Sequence, residues 1–72
     1  MFMSMDEIID NYEENWVYVI NCKNDEYGTV GGEVALTAKT VSELFEGMKK
    51  YEDEKSETMF FGIPSKETVF LL

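Results

Sequence analysis

The sequence predicts one small α+β domain in which a mostly antiparallel sheet packs on a helix over residues 41–51. Three observations predict this class. Two segments carry apolar residues at helical spacing, and four others are rich in the aromatic and β-branched residues typical of strands. The connections are short, and 72 residues leave room for one core. The predicted elements are, in chain order, a helix over about 5–14, strands over about 16–22 and 30–38, a helix over about 41–51, and strands over about 58–63 and 68–72.

A capping box marks the start of the first helix. Ser4 stands three residues before Glu7, so the hydroxyl and the carboxylate can each accept a hydrogen bond from the other residue's backbone N–H. Apolar residues fill one arc of this helix and acids fill a separate arc. We expect the apolar arc to face the sheet and the acids to face solvent.

The next two segments are predicted to form a hairpin. Strand 16–22 has apolar side chains on both faces, so either the first helix or another chain must cover its second face. Gly31 and Gly32 interrupt the second strand. They indicate a β-bulge, or a place where Trp16 or Tyr18 lies across bare backbone.

The second helix is locally well specified. Thr40 and Glu43 form another capping-box pair, and apolar residues recur at helical spacing as far as Tyr51. A charged connector then leads to an aromatic strand that Pro64 closes. The apolar C-terminal residues are predicted to form the last strand, which also needs a cover.

The composition excludes several function classes. The chain has 15 acidic residues, six lysines, no arginine, no histidine and a net charge of -9. Without histidine it has no imidazole base and no zinc site built on histidine and cysteine. Nucleic acid and anionic lipid would repel so acidic a chain. We expect no enzyme, no cofactor, no membrane binding and no direct binding to nucleic acid.

Cysteine usage and the N-terminal residues indicate the compartment. The one cysteine, Cys22, cannot form an intrachain disulfide. The N-terminus lacks a basic start and a long apolar stretch, and the longest apolar run, residues 16–20, is far too short for a membrane span. We expect a cytoplasmic protein in which Cys22 is a structural thiol on the same face as Trp16 and Tyr18.

Four short motifs follow one another along most of the chain. They are Tyr12-Glu13-Glu14-Asn15-Trp16-Val17, Glu33-Val34-Ala35, Lys39-Thr40-Val41-Ser42-Glu43-Leu44 and Ile63-Pro64. In this order the chain resembles a family of short prokaryotic proteins known only as a domain of unknown function, with Tyr-x-x-x-Trp-Val, a short hairpin, a Thr-x-x-Glu-Leu helix and a strand ending in a hydrophobe and proline. The chain departs from it in a longer hairpin, residues 21–32, and at Gly62. The resemblance implies a fold and no activity.

The many carboxylate groups are the natural candidates for catalysis and for metal binding in this chain. A catalytic pair needs one carboxyl in an apolar pocket that raises its pKa. Glu33, flanked by apolar residues in a strand, is the only acid whose burial would favour catalysis, and it would then need a strongly raised pKa. The acidic clusters at residues 25–26 and 52–54 lack the alternating spacing of a calcium loop, so no metal site is predicted.

The leading functional hypothesis is that the acids engage a basic protein surface. Those of the first helix spread along about 13 Å, a density not far below that of duplex DNA. The sequence therefore predicts a non-enzymatic protein-binding module, such as an inhibitor, an antitoxin-like neutraliser or a nucleic-acid mimic from a prokaryote or phage. The predicted partner-binding residues are Asp6, Glu7, Asp10, Glu13 and Glu14, with Asp25, Glu26, Glu52, Asp53 and Glu54 as secondary patches.

The alternative is a self-associating structural module. In this hypothesis the protein is a homodimer, a symmetric partner covers the second face of the sheet, and the acids only keep the protein soluble. The sequence leaves the partner, the source and the oligomeric state open.

Overall fold

Two helices and one antiparallel sheet make up residues 1–65, the part of the chain that the computed structural model describes. The elements are β1 (Met3–Ser4), α1 (Met5–Asn11), β2 (Trp16–Asp25), β3 (Gly28–Ala38), α2 (Val41–Met48), a 3₁₀ turn (Lys49–Tyr51) and β4 (Met59–Gly62). The strand order in the sheet is β1-β3-β2-β4. The predicted α+β class is confirmed. The strand predicted over 68–72 lies outside the described residues.

α1 covers one face of the sheet. Its Ile8 has no exposed surface and clusters with Val17 and Val19 of β2, which are equally buried. Ile63, just after β4, completes this cluster at 5% exposure. The face that needed either the first helix or another chain is therefore covered by the first helix.

α2 covers the opposite face. Leu44 is fully buried there, and the Tyr18 ring of β2 lies 5.5 Å from the Tyr51 ring. The Tyr51 hydroxyl donates to the Ala35 carbonyl oxygen, 3.3 Å away, which ties the end of the helical segment to β3. Alternation along β2 thus separates its side chains into two layers, one under each helix.

β1 is a strand that the sequence analysis did not predict. Met3 pairs with Gly32 and Ser4 pairs with Gly31. A Cβ placed on Gly31 would lie 2.1 Å from the Met3 carbonyl oxygen, and one placed on Gly32 would lie 2.6 Å from a Val19 methyl group. The two glycines are needed because β1 and β2 approach this stretch of bare backbone closely.

The β-bulge predicted at the glycines of the second strand is found instead on β2, opposite the glycine pair. The register is Ile20↔Glu33 before it and Lys23↔Gly31 after it, so β2 carries one extra residue. Asn21, within the bulge, has a φ of 51°. The extra residue reverses the alternation that the sequence analysis extended to Cys22. Cys22 packs against the cluster under α1, and its predicted place beside Trp16 and Tyr18 is wrong.

The first helix is shorter than predicted. α1 ends at Asn11, and the backbone of Glu14 turns into the left-handed region with a φ of 66°. The Glu14 N–H donates to the Ile63 carbonyl oxygen at 2.9 Å. Residues 12–14 therefore leave the helix because they join the far end of β4, and Glu13 and Glu14 lie outside the helical stripe assigned to them.

The hairpin is longer and its turn tighter than predicted. β2 and β3 continue through the polar segment 23–28, leaving only residues 26–27 between them. The Asp25 carboxylate accepts a hydrogen bond from the Tyr27 N–H at 2.8 Å, and Gly28 adopts a φ of 120° that few other residues tolerate. The polar residues are strand residues because this end of the ladder extends into solvent.

Candidate partner-binding surface

The five acids between residues 6 and 14 are here called the acidic segment. Asp6, Glu7 and Asp10 lie on the exposed side of α1. Residues 1–22 contain these five acids and no lysine. The acidic segment therefore concentrates five negative charges in one stretch of the sequence.

An apolar residue lies within the acidic segment. Ile9 is 40% exposed and stands one helical turn after Asp6, next to Asp10. Exposed single apolar residues are ordinary on protein surfaces. This face of α1 therefore carries both negative charges and an apolar side chain, Ile9, that a protein partner could cover.

Glu7 has a structural role in addition to its charge. Its carboxylate accepts a hydrogen bond from the Ser4 N–H, and the Ser4 hydroxyl accepts one from the Glu7 N–H, both at 3.2 Å. The capping box predicted from the sequence is therefore present. A substitution at Glu7 would weaken α1 as well as change the surface charge.

Glu13 and Glu14 occupy the turn between α1 and β2. The Glu13 carboxylate accepts a hydrogen bond from the Ser65 hydroxyl at 3.4 Å, and its carbonyl oxygen accepts one from the Asn15 side chain. Glu14 is exposed. Both acids continue the acidic segment beyond the helix, in a turn that is bonded to the end of β4.

A shallow, open depression adjoins this turn, and we call it the Trp16 depression. Its volume is about 300 Å³. The Trp16 indole lies across Gly62, where an added Cβ would be 3.0 to 3.1 Å from three ring atoms. The sequence indicates such a contact at the hairpin glycines, whereas in the structure it lies at Gly62. The lining residues are Glu14, Asn15, Trp16, Gly62, Ile63 and Pro64.

The secondary acidic patches lie apart from the acidic segment. Asp25 and Glu26 are at the far end of β2, about 30 Å from Trp16 at 3.3 Å per residue. Residues 52–54 follow the 3₁₀ turn on the α2 side, and the Glu54 carboxylate accepts a hydrogen bond from the Ser56 N–H at 3.2 Å. The structure therefore divides the ten predicted acids among three regions.

Glu33 differs from the condition set for a catalytic acid. Its carboxylate is partly exposed and accepts a hydrogen bond from the Met1 amino group, 3.0 Å away, and another from the Asn21 side chain. The hydrogen bond from the amino terminus, followed by that of Asn21 and the attraction of the positive charge, lowers the pKa of Glu33. A catalytic acid at Glu33 would need a raised pKa, so Glu33 does not meet this condition.

Cys22 is a partly buried thiol. Its Sγ lies 3.7 Å from the Val19 carbonyl oxygen. Burial, together with the negative charge of Glu57, raises the pKa of Cys22. A raised pKa disfavours the thiolate, the form that acts as nucleophile and metal ligand.

Residues 1–65 contain neither a metal-binding cluster nor a membrane-spanning helix. No group of three or more acidic, cysteine or histidine side chains in this range is arranged to hold a metal ion. Within the same range, no helix has the length and apolar character needed to cross a membrane.

Comparison with models of protein families, with curated proteins and with solved structures gives no match. The resemblance to a prokaryotic family of unknown function therefore stays a prediction.

Proposed function

We propose that this protein is a small acidic module that binds a more basic protein through the acidic segment. The observation that supports this proposal is the exposure of Asp6, Glu7, Asp10 and Glu14 in a stretch that contains no lysine. Inhibition, antitoxin-like neutralisation and mimicry of a nucleic acid are the forms that such binding would take in a prokaryote or phage.

The spacing of the acids favours a joint action on one partner. Asp6 and Asp10 are four residues apart on α1, which places them about 6 Å apart along the helix surface. This is less than the screening length of about 8 Å at physiological ionic strength, so their fields add. Complementary charge of this kind speeds association and selects partners of opposite sign.

A binding role is also supported by the state of the remaining polar groups. Glu33 pairs with the amino terminus, and burial disfavours the thiolate of Cys22. The chain has no histidine to act as a proton shuttle.

We infer a cytoplasmic setting from the single cysteine, which has no second cysteine in the sequence with which to pair.

The experiment compares two double variants that change the net charge equally. Asp6→Lys with Asp10→Lys reverses two of the five charges of the acidic segment, whereas Glu26→Lys with Asp53→Lys reverses two exposed acids in the other two regions. Each protein is used to capture partners from an extract of its source cells at low and high salt, with quantitative mass spectrometry. Circular dichroism checks that both variants fold.

We expect the wild type and the Glu26/Asp53 variant to retain the same basic protein. The Asp6/Asp10 variant should lose it, and capture by the wild type should fall as salt rises. Equal capture by the two variants would show that only bulk charge matters and would contradict the proposal.

Self-association is the second candidate function, and one observation favours it. Phe45 of α2 and Phe60 of β4 are each 46% exposed, with ring centroids 5.2 Å apart. A symmetric partner could bury this pair, although α1 already covers the opposite sheet face. Light scattering on the wild type and on Phe60→Ser tests this alternative: a dimer that the substitution converts to a monomer would support it, and a wild-type monomer would exclude it.

A further inference from the structure

The walls of the Trp16 depression are held together before anything binds. The Glu14 N–H donates to the Ile63 carbonyl oxygen, and the Ile63 N–H donates to the Asn15 carbonyl oxygen, each at 2.9 Å. These two hydrogen bonds join the turn after α1 to the end of β4. Ile63 is itself 5% exposed and belongs to the core cluster. A ligand would therefore meet a preformed site and would not have to order it.

The indole of Trp16 has a fixed position in this depression. It lies across the bare backbone of Gly62, so that even one added carbon would be 3.0 Å from the ring. Trp16 is only partly buried, and it lines the depression together with Pro64. The site therefore offers an aromatic side chain whose plane is set by the sheet.

Glu14 adds a negative charge to this aromatic site. It is exposed and lines the same depression as Trp16. The two backbone hydrogen bonds that flank it fix its position relative to Ile63 and Pro64. Trp16, the acidic residue Glu14 and Pro64 thus line one open depression of about 300 Å³.

We propose that the Trp16 depression receives an arginine side chain of the basic protein partner. A guanidinium is planar and weakly hydrated, and it stacks on tryptophan. It also donates two parallel N–H groups to a carboxylate. The exposed Pro64 offers apolar surface for its aliphatic stem. The inference rests on the proposed function and names the residue through which the partner is anchored.

Arginine fits these groups better than the other candidates. A lysine ammonium is a compact, strongly hydrated charge that gains less from stacking. A neutral side chain would leave the Glu14 carboxylate without a counter-charge. An acidic ligand would be repelled by Glu14 and by the net charge of -9.

The test uses the only tryptophan in the chain as its reporter. The indole N–H of Trp16 gives a single, separate signal in a nitrogen-15 NMR spectrum because the sequence contains one tryptophan. The full chain is titrated with a capped pentapeptide that carries one arginine among glycine and serine. The comparison peptides replace that arginine with lysine or with citrulline, its neutral isostere.

The expected result is a saturable shift of the Trp16 signal with the arginine peptide. Binding of the citrulline peptide should be weaker by about tenfold or more, because both the stacking on the indole and the pairing with the carboxylate depend on the positive charge. The lysine peptide should fall between them. Absence of a saturable shift, or equal shifts with arginine and citrulline, would overturn the inference.

Matched variants separate a local contact from the overall charge. Glu14→Gln should weaken arginine binding by about tenfold, whereas Glu26→Gln, which removes the same charge at the hairpin turn, should leave it unchanged. Equal effects of the two substitutions would overturn the inference. The unchanged backbone signals of Ile63 would show that Glu14→Gln keeps the fold.

The failure of this inference can be told apart from the failure of the proposed function. Asp6 and Asp10 do not line the depression. Their reversal should abolish capture of the partner, but it should leave the arginine-dependent shift of Trp16 in place. Loss of that shift in the Asp6/Asp10 variant would show that the peptide reads charge at a distance and would overturn the arginine site alone.

Discussion

The two faces of the sheet are closed in different ways. Under α1 the cluster is mostly aliphatic, and Ile8, Val17 and Val19 have no exposed surface. Under α2 only Leu44 reaches that state, while Phe45 and Phe60 remain nearly half exposed. The shorter helix therefore seals its face more completely than the longer one does.

The difference shows that the acidic helix is also the one that closes the core. Ile8 faces the sheet while Asp6 and Asp10 face solvent on the same two turns. A binding surface on α1 is thus presented by a helix anchored through fully buried contacts. The α2 face has more aromatic surface but is less completely buried. Its exposed rings, Phe45 and Phe60, can therefore still pack against another molecule.

The largest expected effect comes from truncating the buried residue of each helix. Ile8→Ala should cost about 4 kcal/mol, and Leu44→Ala about 2 kcal/mol, since the less complete closure under α2 lets the site relax. Urea denaturation of both variants measures the difference. If Ile8→Ala is unfolded, the comparison is made per carbon removed: Ile8→Val should cost about 1 kcal/mol for one carbon, against about 2 kcal/mol for three carbons in Leu44→Ala. An equal or larger cost at Leu44 would contradict the comparison.

A smaller effect is expected from adding one carbon beside Trp16. Gly62→Ala places a Cβ 3.0 Å from the indole and should cost about 1 to 2 kcal/mol, with a change in tryptophan emission. Gly47→Ala is the matched control. Its Cβ would meet only methyl groups of Leu36 at 3.2 Å, and a gain in helix propensity of about 1 kcal/mol offsets that contact. Equal costs would show that the indole can move freely.

The exposed aromatic pair should contribute less again. A double-mutant cycle on Phe45→Ala and Phe60→Ala should give a coupling of about 0.5 to 1 kcal/mol, as expected for an edge-to-face pair that is partly solvated. The control cycle combines Phe45→Ala with Ile9→Ala, on the helix at the other face, and should give a coupling near zero. A coupling near zero for both pairs would mean that the ring contact adds no stability.

The smallest effect concerns the ion pair that ties the N-terminal segment to β3. The Met1 amino group and Asn21 lower the pKa of Glu33 below its ordinary value of 4.5. This carboxylate therefore favours the folded state above pH 4.5, and its contribution is lost as the pH falls through the lowered pKa. Thermal melting of the wild type and Glu33→Gln between pH 7 and pH 3 should show two curves that converge in acid. Parallel curves would contradict the assignment.

The sequence predicted the fold where the determining contacts are local. The capping bond at Ser4 joins residues three apart, and so does the one in which the Thr40 hydroxyl accepts from the Glu43 N–H. The separation of Val17 and Val19 from Trp16 and Tyr18 onto opposite faces of the sheet follows from alternation, which needs only neighbouring residues. These features depend on short stretches of sequence and are confirmed, except that only the hydroxyl half of the capping box predicted at Thr40 and Glu43 forms.

The features that the sequence analysis missed depend on distant partners. α1 ends at Asn11 because the following turn bonds to Ile63, and no residue near Asn11 signals that contact. β1 is only two residues long and exists because Gly31 leaves room for it. The Trp16 depression likewise forms between residues 14–16 and residues 62–64, which are far apart in the sequence. The composition predicts the number of acidic residues, whereas long-range pairing determines how these residues are distributed among three regions of the surface.

The same long-range pairing sets an order of folding. β2 and β3 meet across a two-residue turn and can pair within microseconds, whereas the hydrogen bond from Glu14 to Ile63 closes a loop of 49 residues. We therefore expect the hairpin to form first and β4 to dock on it afterwards. During synthesis the turn that carries Glu14 cannot take its final position until the ribosome has passed Ile63. A growing chain therefore displays its negative charge before it displays the shaped surface that would distinguish one basic partner from another.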